Sequence, residues 1–256
     1  MNDIEATRKM LKRVCRVIEN LYNIDGYDCI DRNFSQEALN IVYTSKEFQL
    51  FSELFDDSRF KFVGPSLLPE DREEASCVVK GPGEKLIYIS LGSVFSNAYD
   101  YTGFYRNCFE AFGASDLKVA LSVGNADPGA LGEIPPNFTV RAFFPQLSIL
   151  AQADLFISHA GINSVQEALY FDVPLIAIPQ GWDQFLVAGR VEELGAGIYL
   201  RDFQFTASEL KRAAAEIFSD KSYRENSRKV GATLRNAGGY RRAADEIMAF
   251  KMRGQN

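Results

Sequence analysis

Leu155-Phe-Ile-Ser-His159-Ala-Gly-Ile-Asn-Ser164-Val-Gln-Glu167-Ala-Leu-Tyr170 decides the fold. Leu155 to Ile157 is an apolar run of strand length. A turn of Gly, Asn and Ser follows, and a helical pattern takes over from about Asn163. The same grammar repeats outward on both sides. Upstream, Leu86 to Ser90 is a strand with a glycine turn at Gly92 and a helix from about Tyr99 to Phe112. Val119 to Val123 and Phe138 to Ala142 are further strands, and a short helix covers Gln146 to Ala151. Downstream, Pro174 to Ile178 is a strand, Gln184 to Leu194 a helix, and Gly197 to Leu200 a last strand. Thr206-Ala-Ser-Glu209 has capping-box spacing ahead of a helix, and two more helical stretches finish the chain. Strands alternating with helices of this length predict an α/β fold built on a doubly wound, Rossmann-like parallel sheet. In such sheets ligands sit outside the carboxyl ends of the strands, so site residues should fall just after strands.

The amino-terminal part reads differently. Ile4, Met10, Leu11, Val14, Val17, Ile18 and Leu21 recur at helical spacing. Asn40 to Ser45 then reads as a buried strand and Phe60 to Val63 as another, closed by Gly64-Pro65. Leu67 to Lys85, rich in Pro, Gly and acids, reads as a linker.

Composition narrows the function. The 256 residues are 46% hydrophobic, 24% charged and 12% aromatic, as in a folded globular chain, and the net charge is -6. That balance argues against nucleic acid or an anionic membrane as partner, since both require a basic surface. The longest apolar runs, such as Val173 to Pro179, are far short of a membrane span. Met1-Asn-Asp-Ile-Glu5 carries acids where a signal peptide is basic and then apolar. The expected location is therefore cytoplasmic. Cys15, Cys29, Cys77 and Cys108 lack close spacing and read as reduced packing cysteines. One histidine, His159, excludes any mechanism that needs two imidazoles within these residues. The sequence has neither GxGxxG nor GxxxxGK[ST], which removes the main support for dinucleotide and P-loop chemistry.

Three stretches after strands carry candidate chemistry. Leu91-Gly92-Ser93 is either a plain tight turn or a place where backbone and a serine hydroxyl approach a phosphate. Ser158 to Ser164 opens a helix, whose free N–H groups and positive dipole end suit a diphosphate. His159 stands beside that helix start, and Glu167 lies one turn on, where a carboxylate accepts from ribose hydroxyls. Taken alone, this stretch also fits a capped helix with a packed histidine. Ile178-Pro-Gln-Gly-Trp182-Asp183-Gln184 places donors and acceptors side by side at the next helix start, which suits a sugar ring. Trp182 reads equally as a stacking wall or as a partly buried aromatic.

Together, His-x-Gly-x-Asn-Ser, Glu167 and Pro-Gln-x-x-Asp-Gln resemble the donor-site signature of family 1 UDP-glycosyltransferases. The likeness is strongest to their bacterial macrolide-type branch. The flanks Val140 to Leu147, Arg190 to Gly197 and Ala237 to Ala244 resemble the family too. Tyr43 to Ser66 resembles the end of its amino-terminal domain, and the likeness covers nearly all of Asn40 to Phe250. The resemblance implies a GT-B carboxy-terminal domain at 86–256, a linker at 67–85, and the tail of an amino-terminal acceptor domain at 1–66. It also implies that Ser93, His159 and Ser164 contact the UDP diphosphate, with Gly161 and Asn163 shaping that loop. Glu167 would hold the ribose, Phe143 and Gln146 the uracil, and Asp183 and Gln184 the hydroxyls of the donor sugar, with Trp182 beside them. Phe143 replaces the family's stacking Trp, and Val187 stands where many members have Asn.

The family's inverting mechanism uses a histidine base, oriented by an aspartate, in the acceptor domain. His159 is already assigned to the diphosphate, so no catalytic residue is expected in this chain. The resemblance further implies metal-independent chemistry with no cofactor, UDP-sugar being a substrate, and the sequence has no Asp-x-Asp to hold a divalent ion. Expected partners are a UDP-sugar and either an acceptor-domain polypeptide or a second copy, met through the apolar face of the first helix around Val14 and Leu21. A non-catalytic nucleotide-sugar-binding module is the alternative. An epimerase of the same architecture is a third reading, which Asp183-Gln184 disfavours. The donor sugar and the acceptor are left open.

Overall fold

In the computed structural model, residues 16, 17, 20, 39–67, 80–92, 101–126, 128–202 and 205–253 are described. Most of the expected first helix, most of the expected linker and Ser93 lie outside the described residues; residues 16, 17 and 20 of that stretch are helical. The chain divides into two compact units, residues 1–40 with 56–61, and residues 41–55 with 62–256. The second holds all the secondary structure discussed below from Leu86 onward.

Two short strands, Asn40–Val42 (β1) and Phe60–Phe62 (β2), form a two-stranded sheet. The expected strand to Ser45 is thus only three residues long and half-buried, its partner being equally short. In chain order the remaining elements are Leu86–Ser90 (β3), Thr102–Phe112 (α1), Lys118–Ser122 (β4), Phe138–Arg141 (β5), Gln146–Leu150 (α2), Leu155–Ser158 (β6), Ile162–Tyr170 (α3), Leu175–Ala177 (β7), Gln184–Glu193 (α4), Gly197–Tyr199 (β8), Ala207–Ser219 (α5), Lys221–Asn236 (α6) and Gly239–Arg253 (α7). Every expected element from Leu86 on is present, with ends that differ by one to a few residues for local reasons. Pro174 has no N–H to donate, so β7 starts one residue later, although its carbonyl accepts from Phe156 N. The bond from Val165 N to Gly161 O closes the first turn of α3, so the helix begins at Ile162.

Strands β3 to β8 form one parallel sheet in the order β5-β4-β3-β6-β7-β8. The order reverses between β3 and β6, which makes their junction the switch point where an open α/β sheet leaves a crevice. Both faces of the sheet are covered, which explains why the strands are apolar without alternation. Ile87, Ile89, Leu155 and Ile157 face a core shared with α1 and α5. Leu86, Tyr88 and Phe156 face the other core with Val165 and Leu169 of α3 and Val230 and Leu234 of α6. Helix α1 packs on α5, and α3 on α6. The Thr206–Glu209 capping box is present, each side chain bonded to the other's backbone N–H. Cys108 is buried and free, and burial pushes its thiol up. Among the described residues, no helix is long and apolar enough to cross a membrane.

Candidate functional site

Strand register assembles the site. Ser90 at the end of β3 pairs with Ser158 at the end of β6, and Ser158 pairs with Ala177 at the end of β7. Three consecutive strands therefore stop at one level. Their loops, Leu91–Gly92, His159–Gly161 and Gln180–Asp183, leave the sheet side by side.

His159 is held in a slot between two glycines. A methyl group at Gly92 would lie 2.7 Å from its Cε1, and one at Gly161 would lie 2.5 Å from its Nε2. No real side chain fits at those distances, so both glycines are required for the imidazole to occupy its place. The loop also bends sharply. Gly92 has φ 76°, and Ala160 adopts φ 62°, a left-handed conformation rare for any residue with a Cβ. Ser158 Oγ accepts from Ala160 N at 3.2 Å and secures the bend. His159 Nδ1 is buried without a hydrogen-bond partner. Burial lowers the imidazole's pKa below the usual 6.5, with a backbone interaction with Ser90 and then the nearby Asp183 carboxylate acting in the opposite sense. A buried imidazole whose Nδ1 makes no hydrogen bond is thereby fixed at the start of α3. Gly161 caps that helix with no side-chain bond to its first turn, so the first N–H groups point out of the helix unclaimed by a cap.

One turn along α3, Glu167 is oriented by a relay that starts in the sheet. The Tyr88 hydroxyl donates to Gln146 Oε1 at 3.3 Å. Gln146 Nε2 donates to Glu167 Oε2 at 2.5 Å and to Ser164 Oγ at 3.2 Å. Tyr88 itself stacks on Phe156 at 4.9 Å, and burial pushes its hydroxyl up to about 12. Burial also raises Glu167 above the ordinary carboxylate range, with the Gln146 bond pulling it down. Both ends of the Gln146 amide are thus engaged within the protein. Phe143, in the loop after β5, is 59% exposed and presents its ring to solvent.

The loop after β7 is built differently. Trp182 has φ 58° and is 81% exposed, so it is not the partly buried aromatic that was one of its two expected readings. Asp183 is exposed at the N-cap of α4, yet its side chain makes no cap bond there. Gln184 is buried, and its Oε1 accepts from Gln180 N at 2.8 Å. Gln180 Oε1 in turn accepts from the Tyr101 hydroxyl at 2.6 Å, while Gln180 Nε2 is buried without a partner.

The site thus gathers His159, Gly161, Asn163, Ser164 and Glu167 on one loop and helix, with Gln146 bonded to them. Asp183, Gln184 and Trp182 stand on the neighbouring loop, and Phe143 on a third. Tyr88 and Tyr101 are structural members that sequence reading missed, and Gln180 was quoted in the signature without a role of its own. Tyr88 looks like any apolar residue of a buried strand. Tyr101 and Gln180 meet only because α1 and the β7 loop converge, and no local pattern announces that.

This architecture defines the chain as the carboxy-terminal half of a GT-B protein, a class to which comparison with known proteins also leads. Residues 106–237 match the family described as erythromycin biosynthesis protein CIII-like, C-terminal domain, and the chain belongs to that family. It is 46% identical over 215 residues to NDP-glycosyltransferase YjiC of Bacillus subtilis, covering 84% of this chain and 54% of that protein. It is 36% identical over 217 residues to the oleandomycin glycosyltransferase of Streptomyces antibioticus, covering 84% of this chain and 50% of that one. Among solved structures, the calicheamicin glycosyltransferase CalG4 superposes with a TM-score of 0.79 at 31% identity. That match covers 96% of this chain and 61% of CalG4. The chain spans about half the length of the curated relatives it matches.

Proposed function

We propose that this chain binds a UDP-sugar and forms the donor half of an inverting, metal-independent UDP-glycosyltransferase that moves a hexosyl group to a small hydroxylated acceptor. The single observation that carries the reading is the slot in which Gly92 and Gly161 fix His159, with Nδ1 unpaired, against the uncapped amino terminus of α3. A diphosphate supplies what that place lacks, acceptor oxygens and negative charge. In this reading Ser164, Gly161 and Asn163 complete the diphosphate loop. Glu167, held by Gln146, accepts from the ribose hydroxyls. Phe143, whose ring is exposed, and Gln146 are assigned to the uracil. Asp183 faces the donor sugar with its carboxylate uncommitted, while Gln184 has one amide end free of the Gln180 bond.

Inverting transfer requires a base to take the acceptor hydroxyl's proton as the oxygen attacks the anomeric carbon, and UDP leaves with the bonding electron pair. In this reading His159 stabilises the departing diphosphate and does not act on the acceptor. The base therefore belongs to an acceptor half, and the chain by itself acts as a nucleotide-sugar-binding module. Calorimetric titration with UDP tests the binding function. Mixing the chain with UDP-glucose and following UDP release, with and without an acceptor-domain polypeptide, tests the transfer function. Release by the chain alone would contradict the assignment of the base elsewhere.

A further inference from the structure

Two cavities open beside the start of α3, and Tyr43 lines both. One, of about 310 Å³, is lined by Asn163 and Glu167 of α3 together with Pro65, Ser66 and Leu67. The other, of about 300 Å³, is lined by Ile162, Asp183 and Leu186 together with Phe48 and Leu50. The first has a mixed lining, in which Ser66, Asn163 and Glu167 supply the polar groups. The second is mainly apolar, with Asp183 as its carboxylate. Tyr43 thus stands where a ligand would pass from the Glu167 end of the groove to the Asp183 end.

The segment that carries Tyr43 is fastened to the donor domain. Phe48 is buried in the core under α3 and α4. Arg190 of α4 donates through Nε to Phe48 O at 3.1 Å, reaches Glu47 O through a second nitrogen, and pairs with Glu193 at 2.8 Å. Its guanidinium is therefore spent on holding this segment. Ser45 Oγ lies 2.9 Å from Thr233 Oγ1 of α6, and Gly64 N donates to Thr44 O at 2.9 Å. Within this fixed frame Tyr43 is 48% exposed. An aromatic ring left half open on an anchored segment, between two cavities, has the disposition of a ligand contact.

We propose that Tyr43 is a binding residue for the nucleotide sugar, its ring packing against the stretch from ribose to sugar opposite the helix start. The proposal rests on the donor reading given above. It assigns part of the donor site to the segment before the linker, so donor affinity depends on residues outside the parallel sheet.

The test is calorimetric titration of UDP and of UDP-glucose into the wild-type chain and the variants Tyr43→Ala, Tyr43→Leu, Tyr43→Phe and Leu54→Ala, with melting temperatures recorded for each. Leu54 belongs to the same segment, is 77% exposed and lines neither cavity. Tyr43→Ala and Tyr43→Leu are expected to bind both ligands about tenfold more weakly, a loss of about 1.4 kcal/mol. Tyr43→Phe should stay within about twofold and Leu54→Ala should match the wild type. Wild-type affinity in a folded Tyr43→Leu or Tyr43→Ala variant overturns the proposal and leaves the donor reading standing. Failure of the wild-type chain itself to bind UDP overturns both.

Discussion

The loops after β6 and β7 leave adjacent strands at the same level and share an unusual feature. Each holds a residue with a Cβ in the left-handed region, Ala160 at φ 62° and Trp182 at φ 58°. They use the bend in opposite ways. The first turns inward, burying Ala160 completely and pinning His159 between two glycines. The second turns outward, leaving Trp182 and Asp183 in solvent. Strain of this kind costs about 1–2 kcal/mol per residue and persists where the surroundings enforce it. In the proposed reading the first loop is a preorganised anion site, and the second is a presented surface for the donor sugar.

The largest effect that separates them is expected at Gly161. Its φ of -62° suits alanine, so Gly161→Ala adds no backbone strain, but the new Cβ lands 2.5 Å from His159 Nε2. UDP affinity should fall about a hundredfold, or about 2.7 kcal/mol, in a chain that still folds, as titration and circular dichroism would show. Gly92→Ala should lose binding as well and also lower stability by about 1 kcal/mol, because alanine must adopt φ 76° there. If Gly161→Ala binds as the wild type does, the slot has no role in binding.

Smaller effects belong to the outward loop. Asp183→Asn should leave UDP affinity in place and weaken UDP-glucose about fivefold, by about 1 kcal/mol. Equal losses for both ligands would place Asp183 at the nucleotide instead. Trp182→Gly removes an exposed ring and relieves the left-handed conformation, so chemical denaturation should show a gain of about 1 kcal/mol in stability. A loss of stability would mean that the indole is packed against something in solution.

The smallest effect is a matter of pH. Burial raises the pKa of Glu167 above 4.5, so the native state holds that proton more tightly than the unfolded chain. Ionisation therefore lowers stability at pH values above the folded pKa, and the penalty disappears below 4.5, where both states are protonated. Glu167→Gln should melt higher than the wild type at pH 7, with the gap closing below pH 4.5, while its UDP affinity falls. A gap that is constant with pH would assign the change to packing alone.

How much of this was legible in the sequence follows the same division between the two loops. The strand, turn and helix of Leu155 to Tyr170 announced themselves because two-sided burial makes the strand continuously apolar and the turn needs Gly, Asn and Ser. His159, Glu167 and Asp183 were named from one linear pattern, and strand register brings their loops together. The slot itself was not legible, since Gly92 and Gly161 lie far apart in sequence and meet only across an imidazole. Nor was the relay through Tyr88 and Gln146, which places the Gln146 amide against Glu167 by way of a residue indistinguishable from core. Tyr43 was read as part of a strand, and its position between two cavities depends on how Arg190 and Thr233 anchor its segment.

The most direct test of the central claim is a calorimetric titration of UDP into the purified chain and its His159→Ala variant. A donor site built around His159 predicts saturable one-to-one binding by the wild type and affinity at least tenfold lower in the variant, with both chains folded. Equal affinity in the two, or no binding by the wild type at millimolar UDP, would contradict it.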